Sequence, residues 1–422
     1  MTKNERPAAQ DRTLSGLDFF LLWAGAAVAL PEIWAGGLLL PLGLAAGMVA
    51  ILAGHAIGGL PMTLAGVIGS RHGVPAIIST RGALGNRGSA LPALLNITQL
   101  IGWTAVMLWI GGNAAAQLTG AGDAGRRLCV LGLGLLTTAW ALAGHRLWKW
   151  LQRLAVAALL VLSVIMTRII LSEFGFQRLL EIQPSGGMPF GLGLDLVIAM
   201  PVSWLPLVSD YSRFAHNSRR CAVGTWAGYF LVSSWMYAAG LCAALATGSS
   251  SPDSMILQTM QARGLAFSAI LIVLFSTFTT TFLDIYSNAV SLRSLFPRAP
   301  ERLAVAGTGM VGTLLAILLP ATQYESFLLF IGSAFCPLFG VVLMDYFVLR
   351  RGRYEAPDLL DRGRYWYAGG LNLRAMAAWA VGFAVYRLAV RLGWPIGASL
   401  PGMIAGALSH ALLAPRKARA AR

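Results

Sequence analysis

Three acids stand inside long apolar stretches of this chain: Glu32, Asp195 and Asp284. An ionisable side chain in such surroundings is costly to bury and marks ion or substrate contact by default. Glu32 follows a proline in Ala29-Leu30-Pro31-Glu32-Ile33-Trp34. A proline interrupts a helix and frees backbone carbonyls near the carboxylate. Glu32 therefore reads as a contact for substrate or coupling ion, or else as a partner for exposed backbone N–H groups. Asp284 can accept from an amino group or make a buried structural hydrogen bond. Asp195 lies nearer the end of its stretch and reads as an interfacial acid, and Asp345, shortly before Arg350-Arg351, as half of a structural ion pair. Asn96, Gln99 and Trp103 are spaced to share one helix face, a polar stripe that should look toward the centre of a helix bundle. Of the two amides, Gln99 is the better ligand and Asn96 the better interhelical tie. The adjacent hydroxyls of Thr279 and Thr280 are hard oxygen ligands suited to Na+, unless they bond back to their own helix.

Composition dictates the elements that must hold these residues. Of 422 residues 57% are hydrophobic and only 12% charged, with a mean hydropathy of +0.68. Soluble proteins carry about 25% charged residues, so a soluble enzyme, a disordered chain and a fibrous protein are excluded. Twelve apolar stretches are long enough to cross a bilayer, near 17–40, 42–60, 91–118, 128–147, 151–171, 190–208, 222–246, 265–292, 303–319, 326–349, 375–391 and 395–414. Stretches of that length must be helical, because only a helix satisfies its own backbone in lipid. The expected fold class is thus an all-α polytopic membrane protein. The net charge of +15 could suit a nucleic-acid binder, but the basic residues occupy short gaps between apolar stretches. With both termini cytoplasmic, 25 of the 32 basic residues fall on the cytoplasmic side. That bias fits a multi-pass protein of the cell (inner) membrane, with lipid and not nucleic acid as its partner.

The first and sixth spans echo one another. Ala29-Leu30-Pro31-Glu32-Ile33-Trp34 and Ala199-Met200-Pro201-Val202-Ser203-Trp204 both read Ala-x-Pro-x-x-Trp, and each span should be interrupted at its proline. Paired broken helices five spans apart predict two five-helix repeats, 17–171 and 190–349. A cytoplasmic tail (1–16), a cytoplasmic loop (350–374), two extra helices (375–414) and a basic tail (415–422) complete the chain. The N-terminal stretch has no cleavable signal peptide pattern. The glycine pattern of Gly307-Thr308-Gly309-Met310-Val311-Gly312 lies within a span and reads as helix packing, not nucleotide binding. Cys129, Cys221, Cys242 and Cys336 read as small apolar residues, and the five histidines show no partner in the sequence.

Several segments together resemble the nucleobase:cation symporter family, and within it the cytosine permease and hydroxymethylpyrimidine transporter branch. They are Glu32-Ile33-Trp34-Ala35-Gly36-Gly37, Gly66-Val67-Ile68-Gly69 leading to Gly73, and Arg81-Gly82-Ala83-Leu84-Gly85 with Gly88-Ser89 and Pro92. Gln99 with Gly102-Trp103, Ser209-Asp210-Tyr211-Ser212-Arg213-Phe214, Thr279-Thr280-Thr281 with Tyr286-Ser287, and Met344 to Arg351 continue the match through the tenth span.

The resemblance implies a leucine-transporter-like fold with broken helices 1 and 6, and import by alternating access with Na+ or H+. Spans 1, 2, 6 and 7 would rock against 3, 4, 8 and 9. It implies a pyrimidine-type substrate stacked on Trp103 and read by Gln99, Asn96, Glu32, Ser203, Trp204, Thr281 and Asp284. It also implies a Na+ site of the Thr279 and Thr280 hydroxyls with carbonyls at Ala26, Ala29 and Ser276. No cofactor is implied. Two departures from the pattern, Pro201 where an aromatic usually stands and Thr281-Phe282-Leu283-Asp284 in place of an Asn-rich segment, favour hydroxymethylpyrimidine, a thiamine precursor, over cytosine.

Overall fold

A computed structural model describes residues 12–143, 148–261, 263–296, 298–319, 323–360 and 363–414. Its helices form twelve spans among the described residues. Span 1 is two half-helices, 1a (Gly16–Ala27) and 1b (Leu30–Gly37). Spans 2 to 5 are Gly43–His72, Ala90–Thr119, Asp123–Ala143 and Trp148–Glu173. Span 6 is again divided, into 6a (Phe190–Ser203) and 6b (Val208–Ser212). Spans 7 to 9 are Ser218–Thr247, Ala266–Leu295 and Glu301–Leu318. Span 10 (Gln323–Leu343) ends in a π-helical turn, Met344–Leu349, and spans 11 and 12 are Leu373–Leu392 and Ser399–Leu413. The basic residues Lys3, Arg6, Arg146, Arg362, Arg416, Lys417, Arg419 and Arg422, and the Lys149 side chain, lie outside the described residues.

Both expected breaks exist, but neither falls at its proline. In span 1 the chain opens at Val28 and Ala29, the latter fully extended at φ −143°, ψ 147°, and Pro31 sits in the first turn of 1b. A first-turn residue has no intrahelical N–H bond to lose, so proline starts this half-helix instead of ending one. In span 6 the helix runs through Pro201 to Ser203 and opens only at Trp204–Leu207. The two sequence echoes therefore lie on opposite sides of their breaks. Proline removes one donor, but packing decides where the helix parts: the Pro201 ring lies against Gly58 of span 2, where a Cβ would come within 2.6 Å of it. Span 2 also runs beyond the expected residue 60 to His72, passing through Pro61 without a break. Neighbouring helices compensate such prolines in membrane spans.

Half-helices 1a and 1b pack on span 7, and spans 6a and 7 pack on span 2, forming one group. Span 3 packs on spans 4, 8 and 9 in a second group, and spans 11 and 12 pack on each other and on span 10. Glycine permits the tightest crossing. A Cβ on Gly36 would meet the Tyr237 carbonyl oxygen and one on Gly240 that of Ile33, so 1b and span 7 touch backbone to backbone.

Candidate functional site

Span 8 carries Thr277, Thr281, Asp284, Asn288 and Ser291 at intervals of three and four residues, a single polar stripe on an apolar helix. Two contacts fix its register against span 3. The Asn96 amide donates to Ser291 Oγ at 3.1 Å, and a Cβ on Gly111 would lie 2.6 Å from Thr277 Cγ2. The helices are thus antiparallel, with Asp284 at the level of Trp103 and Thr104. Gln99 Nε2 donates both to Asn96 Oδ1 and to the Ser203 carbonyl at the end of 6a, each at 2.8 Å. A carbonyl can only accept, so the amide orientation is determined and Gln99 Oε1 faces the other way. Among the described residues Gln99 Oε1, Thr277 Oγ1, Thr281 Oγ1, Asp284 Oδ2 and Asn288 Oδ1 are buried side-chain atoms without a hydrogen-bond partner. Buried polar atoms are normally satisfied, so these atoms along one helix stripe call for a polar partner such as water, an ion or a ligand.

The two candidate tryptophans part company. Trp103 is half-buried, edge-on to Phe327 at 5.1 Å and to Tyr324 at 6.3 Å, both in span 10. Tyr324 stacks on Trp34 of 1b at 4.2 Å, and Trp34 stacks on Trp109 at 5.1 Å. Trp204 lies elsewhere: its ring meets Trp23 of 1a edge-on at 5.4 Å, and its indole N–H donates to the Tyr229 hydroxyl at 3.2 Å. Ser203, whose carbonyl binds Gln99, turns its own hydroxyl back to the Met200 carbonyl at 2.7 Å.

Glu32 is buried, but its carboxylate points to span 7 and not to the seam between spans 3 and 8. Tyr229 donates to Oε1 and Ser233 to Oε2, each at 2.8 Å. Ser233 Oγ also lies 2.5 Å from His55 Nε2, and His55 Nδ1 lies 2.9 Å from the Ile51 carbonyl. Three of the five histidines thus have partners: besides His55, His72 pairs with the Tyr346 hydroxyl at 2.9 Å and His410 with Asp345 at 3.2 Å. No local spacing could disclose contacts between residues 65 to 274 positions apart.

The other acids are structural. Asp195 is not interfacial: it is buried and accepts from the N–H groups of Ala398 and Ser399 at 2.7 and 2.8 Å, capping span 12 from a distance. Asp345 pairs with Arg350 at 2.7 Å as expected, and also accepts from Tyr354 at 2.9 Å. Burial and the Asp345 charge push the Tyr354 phenol up, so it remains a donor.

Of the expected Na+ ligands, Thr279 donates to the Phe275 and Ser276 carbonyls at 3.1 and 3.0 Å, within its own helix. Thr280 is half-buried. Ala26 ends 1a beside the break. Ala29 departs from the set: as the residue capping 1b, its carbonyl points along that half-helix and accepts the Glu32 N–H at 3.2 Å.

Comparison with known proteins decides the family. Residues 7–407 match the profile of a family described as permeases for cytosine/purines, uracil, thiamine and allantoin. The chain belongs to this permease family. It is 26% identical over 385 residues to the cytosine permease of Escherichia coli strain K12, covering 87% of this chain and 83% of that one. It is 27% identical over 386 residues to the hydantoin permease of Microbacterium maritypicum, covering 86% and 78%. The inward-facing structure of Mhp1 superposes with a TM-score of 0.85 at 22% identity, covering 98% of this chain and 93% of that one. This permease thus has the leucine-transporter-like fold that the resemblance implied, in a multi-pass membrane protein that is a transporter and not an enzyme.

Proposed function

We propose that this permease imports a small planar nitrogen heterocycle of pyrimidine type, driven by a cation gradient, with the substrate held between spans 1, 3, 6 and 8. The observation that carries this reading is the seam of buried, unpartnered polar atoms on Gln99, Thr281 and Asp284, beside the Trp103 ring and the break in span 6. Gln99 Oε1 and Asp284 Oδ2 accept, and the Thr281 hydroxyl donates. Two acceptors and a donor suit an exocyclic amino group beside an accepting ring nitrogen, a pattern that cytosine and hydroxymethylpyrimidine share. Trp103 supplies the stacking face. The cytosine permease relatives weigh toward cytosine ahead of hydroxymethylpyrimidine. Asn96 holds Gln99 in place, and Trp204 and Glu32 act on the breaks from outside the ring pocket.

Alternating access follows from the two packed groups. Spans 1, 2, 6 and 7 move against 3, 4, 8 and 9, with hinges at Val28–Ala29 and Trp204–Leu207. The bias of basic residues supports cytoplasmic termini and an inner-membrane setting. For Na+, the Thr279 and Thr280 hydroxyls with carbonyls of Ala26 and Ser276 are the ligand set to test.

Uptake of labelled cytosine, hydroxymethylpyrimidine and hydantoin into proteoliposomes, under imposed Na+ or H+ gradients, tests the proposal. Accumulation of an aminopyrimidine above its outside concentration is expected. Failure of all three compounds to accumulate or to exchange would overturn it.

A further inference from the structure

Glu32, Ser233 and His55 pose a counting problem. His55 Nδ1 lies 2.9 Å from the Ile51 carbonyl, which only accepts, so Nδ1 carries a proton. If the imidazole is neutral, its Nε2 is then a bare lone pair facing Ser233 Oγ at 2.5 Å. Ser233 has one hydroxyl proton, yet Glu32 Oε2 stands on its other side at 2.8 Å. With a carboxylate and a neutral imidazole, both neighbours demand that single proton and one contact must fail. One additional proton resolves the conflict in either of two ways. Glu32 Oε2–H donates to Ser233, which donates to Nε2; or the imidazolium donates to Ser233, which donates to the carboxylate. The two arrangements interconvert when Glu32 passes its proton to Ser233 Oγ as the Ser233 proton passes to His55 Nε2.

We propose that Glu32, Ser233 and His55 form a buried relay that binds one transported proton, and that its loading holds the two broken helices in the arrangement seen here. This rests on the transport reading above and names the ion that the Glu32 side of the protein serves. The triad spans three elements of one moving group: half-helix 1b, span 7 and span 2. Tyr229 extends it. Its hydroxyl donates to Glu32 Oε1 and accepts from the Trp204 indole, so a single chain of hydrogen bonds runs from the break in span 1 to the break in span 6. Loss of the proton leaves Glu32 or His55 without its donor in a buried setting, which favours separation of 1b from spans 2 and 7.

The titratable groups facing the triad are few. Span 7 presents Tyr229 and Tyr237, the latter edge-on to the His55 ring at 4.8 Å with its hydroxyl on the Leu196 carbonyl. Span 10 presents Tyr324, whose hydroxyl donates to the Pro31 carbonyl at 2.9 Å, and span 6 only the neutral Trp204. Among the described residues no arginine or lysine pairs with Glu32, so none of the protein's own cations balances it there.

The test uses the whole protein in proteoliposomes without Na+, with an entrapped pH-sensitive dye and labelled cytosine, hydroxymethylpyrimidine or hydantoin. For one proton per substrate, an inward gradient of about one pH unit sustains up to about tenfold accumulation. The wild-type protein should accumulate substrate and acidify the lumen together. In Glu32→Gln the amide keeps both hydrogen bonds but carries no removable proton, so gradient-driven accumulation should vanish while exchange of labelled for unlabelled substrate persists. Ser233→Ala, which interrupts the relay without altering either titratable group, should do the same and serves should Glu32→Gln fail to fold. Exchange without proton-driven accumulation in the wild-type protein, or accumulation preserved in both variants, overturns the relay and leaves the transport reading standing. Absence of exchange with all three compounds in the wild-type protein overturns both.

Discussion

Gln99 of span 3 donates a 2.8 Å hydrogen bond to the carbonyl of Ser203, the last residue of half-helix 6a. This contact joins the two packed groups of helices, and it leaves Gln99 Oε1 buried without a partner of its own. Gln99→Leu removes the donor and strands a buried carbonyl, a change of about 1–3 kcal/mol. We expect cytosine binding, measured by equilibrium dialysis, to weaken tenfold to a hundredfold, about what that energy implies. Unaltered affinity would remove Gln99 from the site.

Trp103 is half-buried and meets Phe327 and Tyr324 at steep interplanar angles, stacking on neither. Aromatic stacking contributes about 0.5–1.5 kcal/mol beyond burial. Trp103→Ala should weaken binding about tenfold and Trp103→Phe less, by the same measurement. A Trp103→Ala protein that binds and transports normally would refute the stacking role.

Asp284 is the acceptor set at the level of Trp103, with no ion-pair partner among the described residues. Asp284→Asn keeps the shape but replaces one acceptor by a donor. Competition against labelled cytosine should show the amino-bearing ring losing ground to its oxo counterpart, uracil, by about tenfold or more. An unchanged cytosine-to-uracil ratio contradicts the assignment.

Gly240 touches the Ile33 carbonyl at the crossing of span 7 and half-helix 1b. Gly240→Ala must push these backbones apart, at about 1–3 kcal/mol. A lowered thermal midpoint in detergent together with slowed transport is expected. A midpoint equal to wild type would show that 1b is not held there.

Asp345 accepts from Arg350, Tyr354 and His410, tying the end of span 10 to span 12 and to the following loop. Asp345→Asn leaves the Arg350 charge partly buried and uncompensated, which costs about 3 kcal/mol. The thermal midpoint should fall clearly while the order of preference among substrates stays the same. A shift in preference instead would mean that this cluster reaches the pocket.

Much of this protein was legible along the chain because a bilayer imposes one-dimensional rules. Apolar length dictated twelve helices. The recurrence of Ala-x-Pro-x-x-Trp located both broken spans, and helical spacing alone placed Asn96, Gln99 and Trp103 on one face. The shared stripe of Thr277, Thr281, Asp284, Asn288 and Ser291 has the same periodicity and was there to be read. What only the tertiary structure decided were matters of register and direction. Whether each break precedes or follows its proline depends on what the ring packs against, as Pro201 does on Gly58. Whether Glu32 faces the pocket or span 7 depends on Tyr229 and Ser233, about 200 residues away. Those two hydroxyls, like His55, carry no local signature. Serine, tyrosine and histidine in apolar helices look alike until folding shows which of them must share a proton.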